Sequence, residues 1–195
     1  MANAPTVTRD DRIGGRTGLG LIQLFEGHGK GKTTAALGEA LRAVGAGLRV
    51  GIVFFDKGGT HYAERDAMAR YLSEHIDVVG TGRDRIDSVT GRFDFSITDE
   101  DRREARRGLK AAQAFFHGTH ALVVLDEINS TVALGILGEE EVHALLDDKP
   151  DGVECILTGR NAPVSFKERA HLVTRMELEK HYFYSGVKAR VGIDY

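Results

Sequence analysis

Gly27-His28-Gly29-Lys30-Gly31-Lys32-Thr33-Thr34 is the stretch whose reading decides the fold. It follows an apolar run of strand length, Leu21-Ile22-Gln23-Leu24-Phe25. It leads into an Ala- and Leu-rich stretch from Lys32 to Val44, which glycines at 45 and 47 bring to a close. Strand, glycine loop and helix in that order make a phosphate cradle. Glycines let successive backbone N–H groups turn toward an anion, and the positive end of the following helix adds to that field. Lys32 supplies a cation for phosphate oxygens, and the Thr33 hydroxyl is suited to a magnesium ion. The spacing is short by one residue. Three residues separate Gly27 from Gly31 where a standard Walker A loop has four, and Glu26 stands at the expected first glycine. A carboxylate there must point away from a bound phosphate. The expected ligand is ATP with Mg²⁺.

Outward from the loop, apolar runs alternate with helical stretches, the pattern of an α/β sheet covered on both faces. Residues 49–55 read as a second strand, 76–79 as a short third and 121–125 as a fourth; 153–157 and 172–178 complete the set. Helices are expected at 98–117, with Thr98 as cap and Asp99, Glu100 and Asp101 in the first turn, and at 139–146. The segment 80–97 has no clean period. The fourth strand ends in Asp126-Glu127, the form of a Walker B segment, whose acids can hold Mg²⁺ opposite Thr33. The fold expected is a P-loop NTPase-type, RecA-like α/β domain over residues 19–195. It has a mostly parallel central sheet with helices on both faces, preceded by a flexible arm at 1–18.

Composition bounds the partners. The chain has 195 residues, 42% hydrophobic and 28% charged, with a formal net charge of −3. That charge argues against a broad nucleic-acid surface, and the run Arg102-Arg103-Glu104-Ala105-Arg106-Arg107 reads as a solvated helix face. No apolar run reaches the ~18 residues of a membrane span. The single cysteine, Cys155, lies in an apolar strand and reads as a buried thiol; with no disulfide possible, the expected compartment is the cytoplasm. Eight histidines form no recognisable metal pair. His28, inside the loop, is a candidate donor to phosphate or ribose, and His181 is a weaker one.

The loop with its continuation Ala35-Ala36 resembles the shortened phosphate loop of the ATP:corrinoid adenosyltransferases of the BtuR/CobO type. Leu41-Arg42-Ala43-Val44-Gly45, Arg49-Val50-Gly51-Ile52-Val53, Phe55-Asp56-Lys57-Gly58, Leu125-Asp126-Glu127, Thr158-Gly159-Arg160 and 186–195 (GVKARVGIDY) are similar to the same family. The resemblance implies attack by Co(I) of a reduced corrinoid on C5′ of ATP. The 5′-deoxyadenosyl group is transferred and triphosphate leaves. It implies that Lys32, Arg42 and Arg160 contact phosphates, with Lys30 an additional cation, Gly27 to Gly31 supplying N–H groups and Thr34 counted with the nucleotide-binding residues. It assigns Mg²⁺ (or Mn²⁺) to Thr33, Asp126 and Glu127, and names Lys32, Glu127 and Arg160 as the catalytic set. A homodimer and an electron-donating reductase or flavoprotein are implied partners.

One departure stands out. The family carries a Thr-Gly-Phe-x-Trp motif whose aromatics press on the lower corrin face, whereas this chain has Thr81-Gly82-Arg83-Asp84-Arg85 and no tryptophan. Phe93 and Phe95 are candidate replacements, core packing is the plain alternative for both, and an acceptor without a bulky lower ligand would need less help. The rival readings are a P-loop ATPase or small-molecule kinase with another acceptor, and a non-catalytic nucleotide-dependent regulatory protein.

Overall fold

A computed structural model describes residues 7–85, 94 and 96–194. Six strands form one all-parallel sheet: β1 (Ile22–Glu26), β2 (Val50–Phe54), β3 (Ile76–Gly80), β4 (Leu122–Asp126), β5 (Glu154–Thr158) and β6 (Leu172–Arg175). Their order is β3-β2-β4-β5-β1-β6. The helices are α1 (Lys32–Gly45), α2 (Ala63–Tyr71), α3 (Asp99–Phe116), α4 (Ile128–Ala133), α5 (Glu139–Asp147) and α6 (Val164–Arg169).

Alternate residues of each central strand enter different cores, because side chains on a strand point to opposite faces. Val50, Ile52, Phe54, Val124 and Ile156 pack with Ala36 and Ala40 of α1 and Met68 of α2. Val53, Val123, Leu125, Cys155 and Leu157 pack with Ala105, Ala112 and Phe116 of α3 and with residues of α5 and α6. Strands buried on both sides are nearly continuous in apolar residues, which is why β2 and β4 are legible in the sequence. Glu154, buried in β5, accepts from the Gly20 and Leu21 amides at 2.8 and 2.7 Å and so anchors the entry to β1.

Three short helices, α2, α4 and α6, were not expected from the pattern; each follows a strand or loop directly and spans nine residues or fewer. The last strand stops at Arg175 instead of running to 178, and its extension instead supports the phosphate loop. Within the expected arm, Asp11–Ile13 form a 3₁₀ turn, and Arg12 and Arg16 donate to the carbonyls of Ala170 and Asp151. Thr98 and Asp101 form a reciprocal capping box at the start of α3, as the sequence suggested. On that helix Arg106 pairs with Glu141 and Arg107 with Glu104, while Arg102 donates to the Gly135 carbonyl. Among the described residues no helix is long and apolar enough to cross a membrane.

Candidate functional site

The carboxyl ends of β1, β4 and β5 meet at a cavity of about 950 Å³. Parallel sheets collect their ligands at this edge, where loops from neighbouring strands converge. Its wall contains His28, Gly29, Lys30, Gly31, Lys32, Thr33 and Thr34 of the phosphate loop, together with Lys57, Glu127 and Arg160. Residues from Leu178 to Asp194 close the other side.

The loop's curl requires its glycines. Gly27 and Gly31 have φ of 108° and 123°, and a Cβ on Gly27 would sit 2.3 Å from the Met176 carbonyl oxygen. Gly29 packs as closely on the backbone of Glu177, and its N–H donates to the Met176 carbonyl at 2.8 Å. That amide is therefore committed to the chain beyond β6. Glu26 does point away: it is buried against Lys167, 2.9 Å from its ammonium, and takes no part in the cavity wall.

Lys32 opens α1 and folds back to donate to the Gly29 carbonyl at 2.8 Å. Burial draws its pKa below the usual lysine value, opposed by the negative charge of Glu127. Thr33 donates to Asp126 Oδ2 at 3.3 Å, so the two oxygens assigned from sequence to a cation face each other across 93 positions of chain. Asp126 Oδ1 accepts from the Thr158 hydroxyl at 2.6 Å, and that hydroxyl in turn accepts from the Glu127 amide. Glu127 adopts left-handed backbone, φ 63°, at the start of α4, and its carboxylate accepts from Ser130 at 2.6 Å. Ser130 accepts from the Arg160 amide at 2.8 Å, which ties the β5 loop to the end of β4. Gly159 is required at that junction: with φ 132°, a Cβ would lie 2.7 Å from the Ser130 nitrogen.

Two groups of residues appeared in the sequence reading only as parts of motifs, without the contacts they make. Lys57, quoted only as part of a motif, reaches Asp126 Oδ2 at 2.5 Å and the Thr33 hydroxyl at 3.2 Å. Burial alone would lower its pKa, yet Asp126 and Glu127 carry it above the usual lysine value. The C-terminal tail is the second. Tyr182 and Asp194 hold Lys30, whose ammonium also donates to the Ile193 carbonyl at 2.7 Å, and Arg190 lies 4.6 Å over the Tyr182 ring. His181 lines the cavity and caps a short 3₁₀ turn by accepting from the Phe183 amide.

Arg42 is not brought to this cavity. It is exposed in the last turn of α1, ten residues from Lys32, which at 1.5 Å per residue is roughly 15 Å along the helix. Arg83 and Arg85, at the place where the resembling family has its aromatics, are bound in an ion cluster. Arg85 pairs with Asp56 at 2.7 Å and Asp101 at 3.1 Å; Arg83 pairs with Asp94 and Asp101. Phe93 and Phe95 lie outside the described residues. Among the described residues no three His, Cys, Asp or Glu converge as metal ligands.

Comparison with known proteins accounts for this combination. The family model for ATP:corrinoid adenosyltransferase BtuR/CobO/CobP matches residues 18–195. The corrinoid adenosyltransferase of Escherichia coli K12 is 38% identical over 176 residues, covering 90% of this chain and 86% of that one. CobA of Salmonella typhimurium is 37% identical with the same coverage, and the Pseudomonas aeruginosa corrinoid adenosyltransferase is 33% identical over 95% of this chain and 89% of its own. Among solved structures, the flagellar accessory protein FlaH of Methanocaldococcus jannaschii superposes with a TM-score of 0.54 at 17% identity, over 87% of this chain and 78% of that one, a likeness of fold alone. With a family match across nearly the whole chain, and with the phosphate loop, Glu127 and the C-terminal tail gathered at one cavity, the protein belongs to the ATP:corrinoid adenosyltransferases.

Proposed function

We propose that the chain transfers the 5′-deoxyadenosyl group of ATP to Co(I) of a corrinoid, releasing triphosphate. The observation that carries this reading is the convergence of three lysines, Arg160 and Glu127 on one cavity, with Asp126 buried just behind Thr33 and Lys57 of its wall. In such a reaction the substrate's own cobalt attacks. The protein's part is to hold C5′ in line and to stabilise charge that builds on the leaving triphosphate.

Lys32 and Arg160 are the phosphate-facing cations, with Lys30 becoming available when the tail yields it. The Gly31, Lys32 and Thr33 amides, at the start of α1, serve the same charge. Arg42 is left out on grounds of distance. His28, exposed on the cavity wall, is placed to donate to phosphate or ribose. Thr33 Oγ1 and Asp126 Oδ2, 3.3 Å apart, are hard oxygen donors that would hold a divalent cation, and Glu127 follows Asp126 at the end of β4. Bound Mg²⁺ or Mn²⁺ would supply positive charge to the triphosphate there. Thr158 holds Asp126 in orientation, and Ser130 holds Glu127.

A second copy of the chain and an external reductase or flavoprotein belong to the same proposal, supported by family membership. A buried lone thiol fits a reducing compartment, the cytoplasm. The test is anaerobic incubation with ATP, Mg²⁺ and chemically reduced cob(I)alamin. Loss of the Co(I) absorbance with stoichiometric triphosphate and a light-sensitive alkylcobalamin supports the reading. ADP and phosphate instead would point to an ATPase or kinase. No reaction with cob(I)alamin but turnover with a corrinoid lacking the lower ligand would name the acceptor.

A further inference from the structure

The geometry points to Lys57 as a built-in cation that fills the divalent-ion position of the nucleotide-free protein and moves onto the triphosphate when the metal arrives. Its ammonium touches both oxygens assigned to the metal, 2.5 Å from Asp126 Oδ2 and 3.2 Å from Thr33 Oγ1. Asp126 has 1% of its side chain exposed, so without a cation it would be a buried, uncompensated charge. The hydroxyl of Thr158 satisfies only the other carboxylate oxygen.

The backbone of Lys57 is fixed while its side chain has somewhere to go. Its amide donates to the Thr81 carbonyl at 2.9 Å, and Arg65 holds its carbonyl. The ammonium lies 5.5 and 6.0 Å from the Phe54 and Tyr62 ring centroids, and the residue lines the cavity beside Lys32 and Arg160. The Lys57 ammonium would be repelled by a dication held by Asp126 and Thr33, and its four-carbon stem is long enough to swing it into the cavity where phosphate charge would lie. The exchange keeps Asp126 neutralised in both states and delivers one more positive charge to the leaving group only when metal and nucleotide are present together.

The inference rests on the reading of Thr33 and Asp126 as cation ligands, and the test separates the two. Nucleotide-free protein is titrated with Mn²⁺, the free ion being followed by EPR, for wild type, Lys57→Met and Lys57→Gln. Both variants should bind Mn²⁺ roughly tenfold or more tightly than wild type, since a repelling charge has gone. Adding Asp126→Asn to either variant should remove the gain. Unchanged Mn²⁺ affinity in folded Lys57→Met and Lys57→Gln overturns the inference. A gain that survives Asp126→Asn overturns the ligand assignment beneath it. If the variants fail to fold, the wild-type Lys57 ammonium resonance serves instead. It should shift on adding Mg²⁺ with triphosphate, and a resonance left in place overturns the proposal. No corrinoid enters the experiment, so neither result bears on the transfer reaction.

Discussion

The ammonium of Lys30, inside the phosphate loop, is held by the carboxylate of Asp194, 164 positions later in the chain. The tail that carries Asp194 therefore forms a wall of the nucleotide cavity, and the loop's extra lysine is occupied before any phosphate arrives. Asp194 also accepts from Tyr182 and from the Arg190 amide and guanidinium, so one carboxylate organises the whole clasp.

Replacing Asp194 with Asn should release the tail. Hydrogen exchange read by mass spectrometry should accelerate across 182–194 with little change in β1, β4 and β5. Unaltered protection of the tail would show that the carboxylate charge is dispensable to the clasp.

Lys32 combines burial, a helix N-terminus and a short return to the Gly29 carbonyl. Lys32→Ala should lower kcat/KM for ATP at least ~100-fold, the scale of losing one preorganised charge on a developing anion. Triphosphate release measures it. A loss under tenfold would move the principal phosphate charge to Arg160 or Lys57.

Two glycines near each other in sequence should respond in opposite directions. Gly27→Ala forces a Cβ into the Met176 carbonyl at positive φ, costing about 2 kcal/mol or more and lowering Tm by roughly 5 °C or more. Gly38, on the open face of α1, meets nothing within 4 Å. Gly38→Ala should stabilise by about 0.5–1 kcal/mol and raise Tm by roughly 2 °C. Differential scanning calorimetry of the pair decides it.

Asp101 closes the α3 capping box and pairs with Arg83 and with Arg85, whose side chain is 6% exposed. Asp101→Ala removes the capping-box partner of Thr98 and one of the two carboxylates on Arg85, which keeps Asp56, a loss of about 1–3 kcal/mol that should lower Tm by roughly 5 °C. Burial pushes the Asp101 carboxyl up, but the Thr98 amide and hydroxyl and Arg83 bring it below the usual carboxylate range. Arg83 holds Asp94 well below that range, and Lys30 does the same for Asp194. A carboxyl with a depressed folded pKa stabilises above its unfolded pKa and loses that contribution as pH falls through the folded value. These three should leave Tm flat from about pH 5 to 8 and begin to reduce it below about pH 4. A Tm already falling at pH 6 would assign acid sensitivity to other groups.

Cys155 is fully buried in β5, and burial pushes its pKa up to about 12. A disulfide exchange reagent at pH 8 should leave the native protein unlabelled and titrate one thiol after denaturation. Rapid native labelling would reveal opening of the sheet around β5.

Local pattern made much of this fold legible. Residues 50–54 and 122–125 declare themselves by near-continuous apolar composition, and the Thr98 cap by its three acids. The short helices at 63–71, 128–133 and 164–169 did not, because nine residues or fewer give too few turns for a helical period to stand above the background. The phosphate loop, the Asp126-Glu127 pair and Arg160 were each visible as local strings. Arg42 was equally visible and lies elsewhere, since a motif carries no record of how far a helix takes its far end.

By itself the sequence determined the strand–loop–helix cradle, the acids that face it and the family, because glycine spacing and apolar runs act over neighbouring residues. Only the tertiary structure decided that β5 is inserted between β1 and β4, which sets Thr158 against Asp126. The same folding brings Lys57 between Asp126 and Thr33 and wraps the tail onto Lys30. Those contacts join residues tens to hundreds of positions apart, and their partners are chosen by strand order and by the burial of charge, which no local string encodes.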